Sequence, residues 1–520
     1  MTGDQSECDG LSAAAPGASG RGSNDPIEPA FRVDGFLILT VCIFLVSRIV
    51  YLLVFGVRFD ADPLRYYWQY VDPVLLQTDL LRSVFYLHSQ PPLFNLYLGV
   101  VLKLFPVHYP IIFGITYLLL GFVMTICLYR IMRALGVGQP LAATLTALFM
   151  VSSSVLLYES WLFYTYPVVA FLSVSVVFLI RFLRTRSFLD GFLFAATLAV
   201  ICLTRSLFHI IWFTAAMILL LYCFEKRHRT KAIAACALPF VLVLAVYVKN
   251  AYVFGNFSTA TAYIGQNFNL VITSKIPAAE RQAMIERNEI SPLAEHSRMF
   301  RPIPTYLPHV TIIQTGVPVL DDQAKSRPVP GQKWLPVNAH HRTFIEISEK
   351  CRDDAFAVIR KVPLLYARTV AGNVIDRYFL PPTQLWPLHY HAPTETSPLR
   401  YHRNAWKLKS VNRAFDLLVY GQYVREGAGI HLLIGTPVLI VFAVGRCITL
   451  LRARRRADPA FVACSFMLLT VLFVTAASFL MPYEHNRFRF NVEPFYLIFL
   501  AMLITQIGQW VRARRVSMTR

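Results

Sequence analysis

Residues 33–57, VDGFLILTVCIFLVSRIVYLLVFGV, run directly into RFDADPLRYY at 58–67. A bilayer core needs about 20 apolar residues for one helical crossing. The first stretch meets that length and reads as a membrane helix. It has no basic leader and no small-residue cleavage site, so an uncleaved anchor is expected rather than a signal peptide. The second stretch sets two carboxylates, Asp60 and Asp62, just beyond the helix end, with aromatic residues behind them.

Working outward, comparable apolar runs lie near 109–131, 140–158, 163–180, 189–204, 207–224, 232–254, 429–451, 459–481 and 491–511. The expected fold class is therefore an all-α polytopic membrane protein of about ten transmembrane helices. Of 520 residues, 56% are apolar and only 15% charged, with a mean hydropathy of +0.49. Soluble domains carry about 25% charged residues, and disordered chains are more polar still. That balance excludes a cytosolic enzyme, a disordered chain and a disulfide scaffold. The organisation expected is a disordered tail at 1–32, a membrane core at 33–254 with a first outer loop at 58–108, a large outer-face domain at 255–428, closing membrane helices at 429–511, and a basic tail at 512–520.

The 50 Lys and Arg outnumber 30 Asp and Glu, a formal charge of +20. Eighteen of the 50 fall in five clusters, beginning at Arg130, Arg181, Lys226, Arg446 and Arg512. With the N-terminus inside, every cluster is cytoplasmic, which is the positive-inside pattern. The charge thus orients helices and gives no reason to expect nucleic acid. Pro92 to Phe105 is apolar but short, and a crossing there would invert every later cluster. It is expected to be a re-entrant or interfacial helix. A helical pattern at 352–379 is expected to lie on the membrane surface. The nine cysteines show no metal spacing and read as small apolar residues.

Some polar residues could carry chemistry. A carboxylate at a membrane edge can act as a base, which suits Asp60 or Asp62, although either can simply cap the helix opened by Pro63. His88 and Gln90, before Pro91-Pro92, could bind a hydroxyl or a phosphate. Glu159 and Arg205 are ionisable groups within apolar segments, where charge is costly and faces a cavity or an interface. The loop at 484–490 carries His485, Arg487 and Arg489 on the outer side, against the positive-inside trend. Arginine suits phosphate because its planar fork donates two parallel hydrogen bonds. His340-His341 and the pair His389 and His391 lack the pattern of a zinc site, and no metal is expected.

These motifs, in this order, resemble the GT-C superfamily of membrane glycosyltransferases, and within it the protein O-mannosyltransferase and lipid A aminoarabinose transferase branch. The resemblance rests on Asp62-Pro63-Leu64-Arg65-Tyr66, Gln90-Pro91-Pro92-Leu93, the stretch from Tyr158 to Tyr164, the junction from Lys249 to Phe257, and Asn486 to Pro494. It covers about 33–270 and 430–511. The second acid of the family's first-loop pair is Pro63 here, with Asp60 the nearby substitute.

The resemblance implies transfer of a sugar from a polyprenyl-phosphate carrier to an acceptor (glycan, lipid or protein) on the outer face, with inversion and no cofactor. It implies Asp62 as the general base, with Asp60 beside it. Tyr66, His88, Gln90, Glu159, Arg205, His485, Arg487 and Arg489 are then the expected substrate-binding residues. The expected partners are the donor, membrane lipids and an acceptor the sequence does not identify. A bacterial inner membrane is the expected location. A polysaccharide polymerase or ligase, a lipid-linked sugar transporter or flippase, and a non-catalytic assembly protein are the alternatives. The first would keep its key Arg and His in the large loop, and the second predicts midplane charges and repeat symmetry.

Overall fold

The structure is a computed structural model describing residues 33–296, 298–373, 377–384, 394–424, 427–453, 456–479 and 485–518. Among the described residues, seven helices are long and apolar enough to cross a membrane: Gly35–Leu53, Tyr109–Ala134, Thr165–Thr185, Lys226–Phe254, Ile430–Arg452, Pro459–Phe479 and Glu493–Met518. A pair bent by 57°, Gln139–Val151 and Ser153–Glu159, makes an eighth when taken as one span. The two remaining apolar runs hold shorter helices, Phe188–Thr204 and Ile210–Cys223. Among the described residues, β pairing is limited to two isolated bridges. The chain is an all-α, multi-pass membrane protein.

Local chemistry sets the helix ends. Asp34 starts the first helix, accepting the Leu37 N–H at 2.9 Å, and the Tyr129 hydroxyl donates to the same carboxylate. Pro91 is extended, and Pro92 takes the first turn of Pro92–Leu104, where its missing N–H costs nothing. At 1.5 Å per residue this helix is roughly 20 Å long, too short for a hydrocarbon core of about 30 Å. It packs on the short helices Pro73–Thr78 and Leu80–Phe85 of the first loop.

The bent span is held by a charge in the first helix. The break at Ser152 exposes helix-end carbonyls that need donors. Arg48 donates to Met150 O at 2.6 Å, and the Tyr51 hydroxyl donates to Val151 O at 2.8 Å. The same guanidinium forks onto Glu159 at 3.0 and 2.6 Å, and the Tyr166 hydroxyl donates to that carboxylate at 2.6 Å. A side chain on Gly121 would meet the Tyr166 hydroxyl and the Glu159 carboxylate at 2.5 and 2.8 Å, so glycine is needed for this approach. Removing one partner of a buried pair strands the other charge, at about 3–5 kcal/mol. Arg48→Met is therefore expected to lower stability by that amount in thermal or denaturant unfolding. A loss below about 1 kcal/mol, the scale of an exposed pair, would remove the pair from its role in holding the bend.

The 255–428 segment carries two apolar clusters of its own, one around Tyr263, Phe300, Tyr306 and Phe344, the other around Val271, Ile276, Met284 and Val358. The surface helix expected at 352–379 is not continuous. Thr343–Lys361 ends at Val362, and Pro363 starts a second helix, Pro363–Asn373, because proline is favoured at the first helical position. Phe344, Ile347, Cys351, Ala355 and Val358 are buried against the clusters, so the apolar face of the longer helix points inward. The eight described cysteines are free; Cys8 lies outside the described residues.

Candidate active site

Between Ser153–Glu159 and Thr165–Thr185 the chain leaves the helix, and Ser160–Tyr164 is wholly buried. Irregular backbone at such depth needs internal partners. Ser160 O accepts the Asp60 N–H at 2.7 Å, and the Leu162 N–H donates to Asp60 O at 2.9 Å, forming a one-residue parallel bridge. Leu162 O accepts the Tyr70 hydroxyl at 2.9 Å, and Phe163 O accepts that of Tyr117 at 2.8 Å. The first loop is thus sewn to this unwound turn.

The Asp60 side chain is fully buried. Its two oxygens accept the N–H groups of Asp62 and Tyr401, each at 2.9 Å. Burial, and then the charge of Asp62, push its carboxyl up to about 7; the two N–H donors and Arg400 oppose this. A carboxyl raised above its unfolded value of 3.8 binds its proton more tightly in the folded state. Its favourable contribution is full below the unfolded value and is lost as pH rises toward 7. The melting temperature is expected to fall between about pH 4 and 8, with a shallower slope in Asp60→Asn. Equal slopes in the two proteins would contradict this.

Asp62 precedes the four-residue helix Pro63–Tyr66, yet its side chain makes no capping bond. Among the described residues its half-buried carboxylate accepts no hydrogen bond, so the capping role open to it in the sequence is not taken up. Burial and the neighbouring carboxylates of Asp60 and Asp62 hold the Tyr66 phenol well above the ordinary tyrosine range, so it stays protonated beside them.

Opposite this acidic end sit two guanidiniums, Arg205 and Arg487, only 1% and 3% exposed. Arg205 follows the end of Phe188–Thr204 and donates to Asn491 Oδ1 at 2.7 Å. Its Nη2 has no hydrogen-bond partner among the described residues. Arg205 lies over the rings of Phe488 and Tyr164, and Arg487 over that of Phe163 at 4.4 Å. Burial, and then the charge of Arg487, pull Arg205 down to about 9, so it is still a cation at neutral pH. Two buried cations that feel each other's charge are an arrangement that suits an anion.

Arg489 is different. It lies four residues before Glu493 and donates to that carboxylate at 3.0 Å, to Leu380 O at 2.9 Å and to Tyr378 O. Its guanidinium is absorbed by the frame. Glu159, tied to Arg48 and Tyr166, is likewise engaged. His485 opens the short helix His485–Phe490, and its side chain lies outside the described residues. His88 is buried with both ring nitrogens bonded, to the Thr261 hydroxyl at 2.6 Å and to His340 O at 2.8 Å. Burial takes its pKa down to about 4. It joins the first loop to the 255–428 segment. Gln90 is buried near Tyr263, a phenol that feels the Arg487 charge.

Aromatic rings connect the acidic and basic ends. Tyr401, whose N–H holds Asp60, lies 5.2 Å from Trp161; Trp161 stacks on Phe163 at 4.6 Å, and Phe163 lies under Arg487. Tyr67 packs on both Trp161 and Phe163. The phenol of Tyr67 feels both Arg487 and Asp60, and that of Tyr158 feels both Arg487 and Arg205. Along this wall the Tyr158 hydroxyl, Trp161 Nε1 and the Tyr401 hydroxyl have no hydrogen-bond partner among the described residues. Buried polar atoms left open this way suit the hydroxyls of a ligand. Tyr67, Trp161 and Tyr401 carry no sequence signal that sets them apart from other aromatic residues near membrane-helix ends. Asn491, four residues after Arg487 and bonded to its carbonyl at 3.0 Å, carried a usable spacing signal.

No three His, Cys, Asp or Glu side chains converge as metal ligands among the described residues, and His389 and His391 lie outside them. Comparison with protein-family models, with curated proteins and with solved structures finds no match to this chain.

Proposed function

We propose that the protein is a membrane glycosyltransferase that moves a sugar from a polyprenyl-phosphate carrier to an acceptor on the outer face of the membrane. The observation that carries this reading is the polarised, aromatic-walled site, with free carboxylate Asp62 at one end and the buried cations Arg205 and Arg487 at the other. An inverting transfer needs those two ends. Asp62 takes the proton from the acceptor hydroxyl as its oxygen bonds the anomeric carbon. The bond from that carbon to the phosphate oxygen breaks, and the electron pair leaves with polyprenyl phosphate. Arg205 and Arg487 stabilise the charge that develops there. Tyr158, Trp161 and Tyr401 offer the sugar hydrogen-bonding partners, and Asp60 positions the loop through Asp62 and Tyr401. Under this reading the fold is GT-C-like with ten crossings, Phe188–Thr204 and Ile210–Cys223 included, and the 255–428 segment is its outer-face domain, in a bacterial inner membrane.

The test is transfer of labelled sugar from a panel of polyprenyl-phosphate donors by membranes containing the protein. The expected result is label in an acceptor and release of polyprenyl phosphate. If no donor in a broad panel is consumed, the reading is wrong.

A further inference from the structure

A second cationic feature adjoins the site described above, on the far side of the chain that carries Asp60. The helices Arg400–Lys407 and Lys409–Leu418 carry five cations, Arg400, Arg403, Lys407, Lys409 and Arg413. Their one carboxylate, Asp416, is buried and accepts the Thr383 hydroxyl at 2.6 Å. The first of these helices rests on the chain leaving the first membrane helix: Asn404 Nδ2 donates to Arg58 O at 2.7 Å, and Asn404 Oδ1 accepts the Arg58 N–H at 3.3 Å. Gly56, Arg58, Arg400, Arg403, Asn404 and Lys407 line the cleft left between them, about 260 Å³ in volume.

The chemistry of this cleft is one-sided. Arg400 donates to Phe59 O at 3.0 Å, Lys407 to Gly56 O at 2.7 Å, and Arg403 to Ser397 O. These partners are neutral carbonyls, and among the described residues none of the four lining cations forms an ion pair. A guanidinium has five N–H donors and an ammonium three, so each keeps donors for a ligand. Arg58 is exposed at the rim. A few residues before it, Leu52, Leu53 and Val54 are exposed where the membrane helix Gly35–Leu53 ends. A cluster of unpaired cations beside lipid-facing apolar residues matches an amphiphile with an anionic head.

We infer that this cleft binds the phosphate headgroup of an anionic phospholipid in the leaflet on the side of the 255–428 segment, with its acyl chains lying along Leu52, Leu53 and Val54. Inorganic phosphate would satisfy the cations but not the apolar flank, so the lipid is the occupant. The inference stands apart from glycosyl transfer, since the cleft contains none of the residues assigned to that reaction.

The experiment is native mass spectrometry of the full-length protein after exchange into mixed phosphatidylglycerol and phosphatidylcholine. The wild type is expected to retain phosphatidylglycerol selectively. The double variant Arg58→Gln, Lys407→Gln is expected to retain roughly tenfold less, since each basic residue near a lipid surface contributes severalfold in affinity. Thermal unfolding of the double variant in phosphatidylcholine nanodiscs checks its fold. If it does not fold, a high-salt wash of the wild type replaces it and is expected to strip the lipid. Equal retention by a folded variant, equal retention of phosphatidylcholine, or lipid that survives the salt wash would overturn the inference. So would displacement by inorganic phosphate at unchanged ionic strength, or by undecaprenyl phosphate in a manner the same substitutions abolish, which would assign the cleft to a free anion or to the carrier.

Discussion

Asp62→Asn is expected to cut sugar transfer on the order of 10²–10⁴-fold, the usual contribution of a positioned general base. The effect on folding should be small, because the Asp62 carboxylate makes no capping bond and accepts no hydrogen bond among the described residues. Asn keeps the shape and removes only the basicity. Asp60→Asn should behave in the opposite way. Its two oxygens accept two N–H groups, and an amide turns a donor toward one of them, leaving a buried mismatch of about 1–3 kcal/mol. Paired transfer and unfolding assays separate the two residues. Near-normal transfer by a folded Asp62→Asn protein would sink the base assignment.

Arg205→Gln and Arg487→Gln are each expected to lower transfer by roughly 10²–10³-fold, the scale of losing one group that stabilises developing negative charge. The loss should fall on kcat, because the charge on the bridging oxygen grows only as the carbon–oxygen bond breaks. For Arg205 stability should move the other way. Its Nη2 has no hydrogen-bond partner among the described residues and burial beside Arg487 penalises its charge, so removing that charge leaves the empty protein at least as stable. Arg489→Gln is the contrasting case, since it strands the buried Glu493 and frees the Tyr378 and Leu380 carbonyls. An Arg205→Gln protein that loses both stability and transfer, as Arg489→Gln should, would mark that arginine as structural.

The membrane fold was legible because it rests on run length, a property of contiguous sequence. Even the bent span lay within one apolar run, although the bend itself depends on Arg48, 111 residues from its partner Glu159. Arg48 is hard to recognise in the sequence because one charge does not disturb the apolar average of its helix. Glu159 and Arg489 stand out in the sequence as misplaced charges, but sequence alone does not separate a charge kept for a ligand from one neutralised inside the frame. For Arg489 a clue was present in the four-residue spacing to Glu493, a helical ion-pair spacing. For His88 no local clue existed, since its partners Thr261 and His340 are 173 and 252 residues away. The choice between Asp60 and Asp62 turned on Tyr401, far outside the motif that suggested either residue.

That last separation has a consequence for biosynthesis. The Asp60 carboxylate meets its second N–H donor only when Tyr401 arrives, 341 residues later in the chain. Arg58 and Phe59 are likewise tied down by Asn404 and Arg400. While the first helices are already inserted and the ribosome is still translating the middle of the protein, the acidic loop lacks the helix that clamps it. A nascent chain halted before residue 400 therefore presents an unfinished acidic end, and the site is assembled only late in translation.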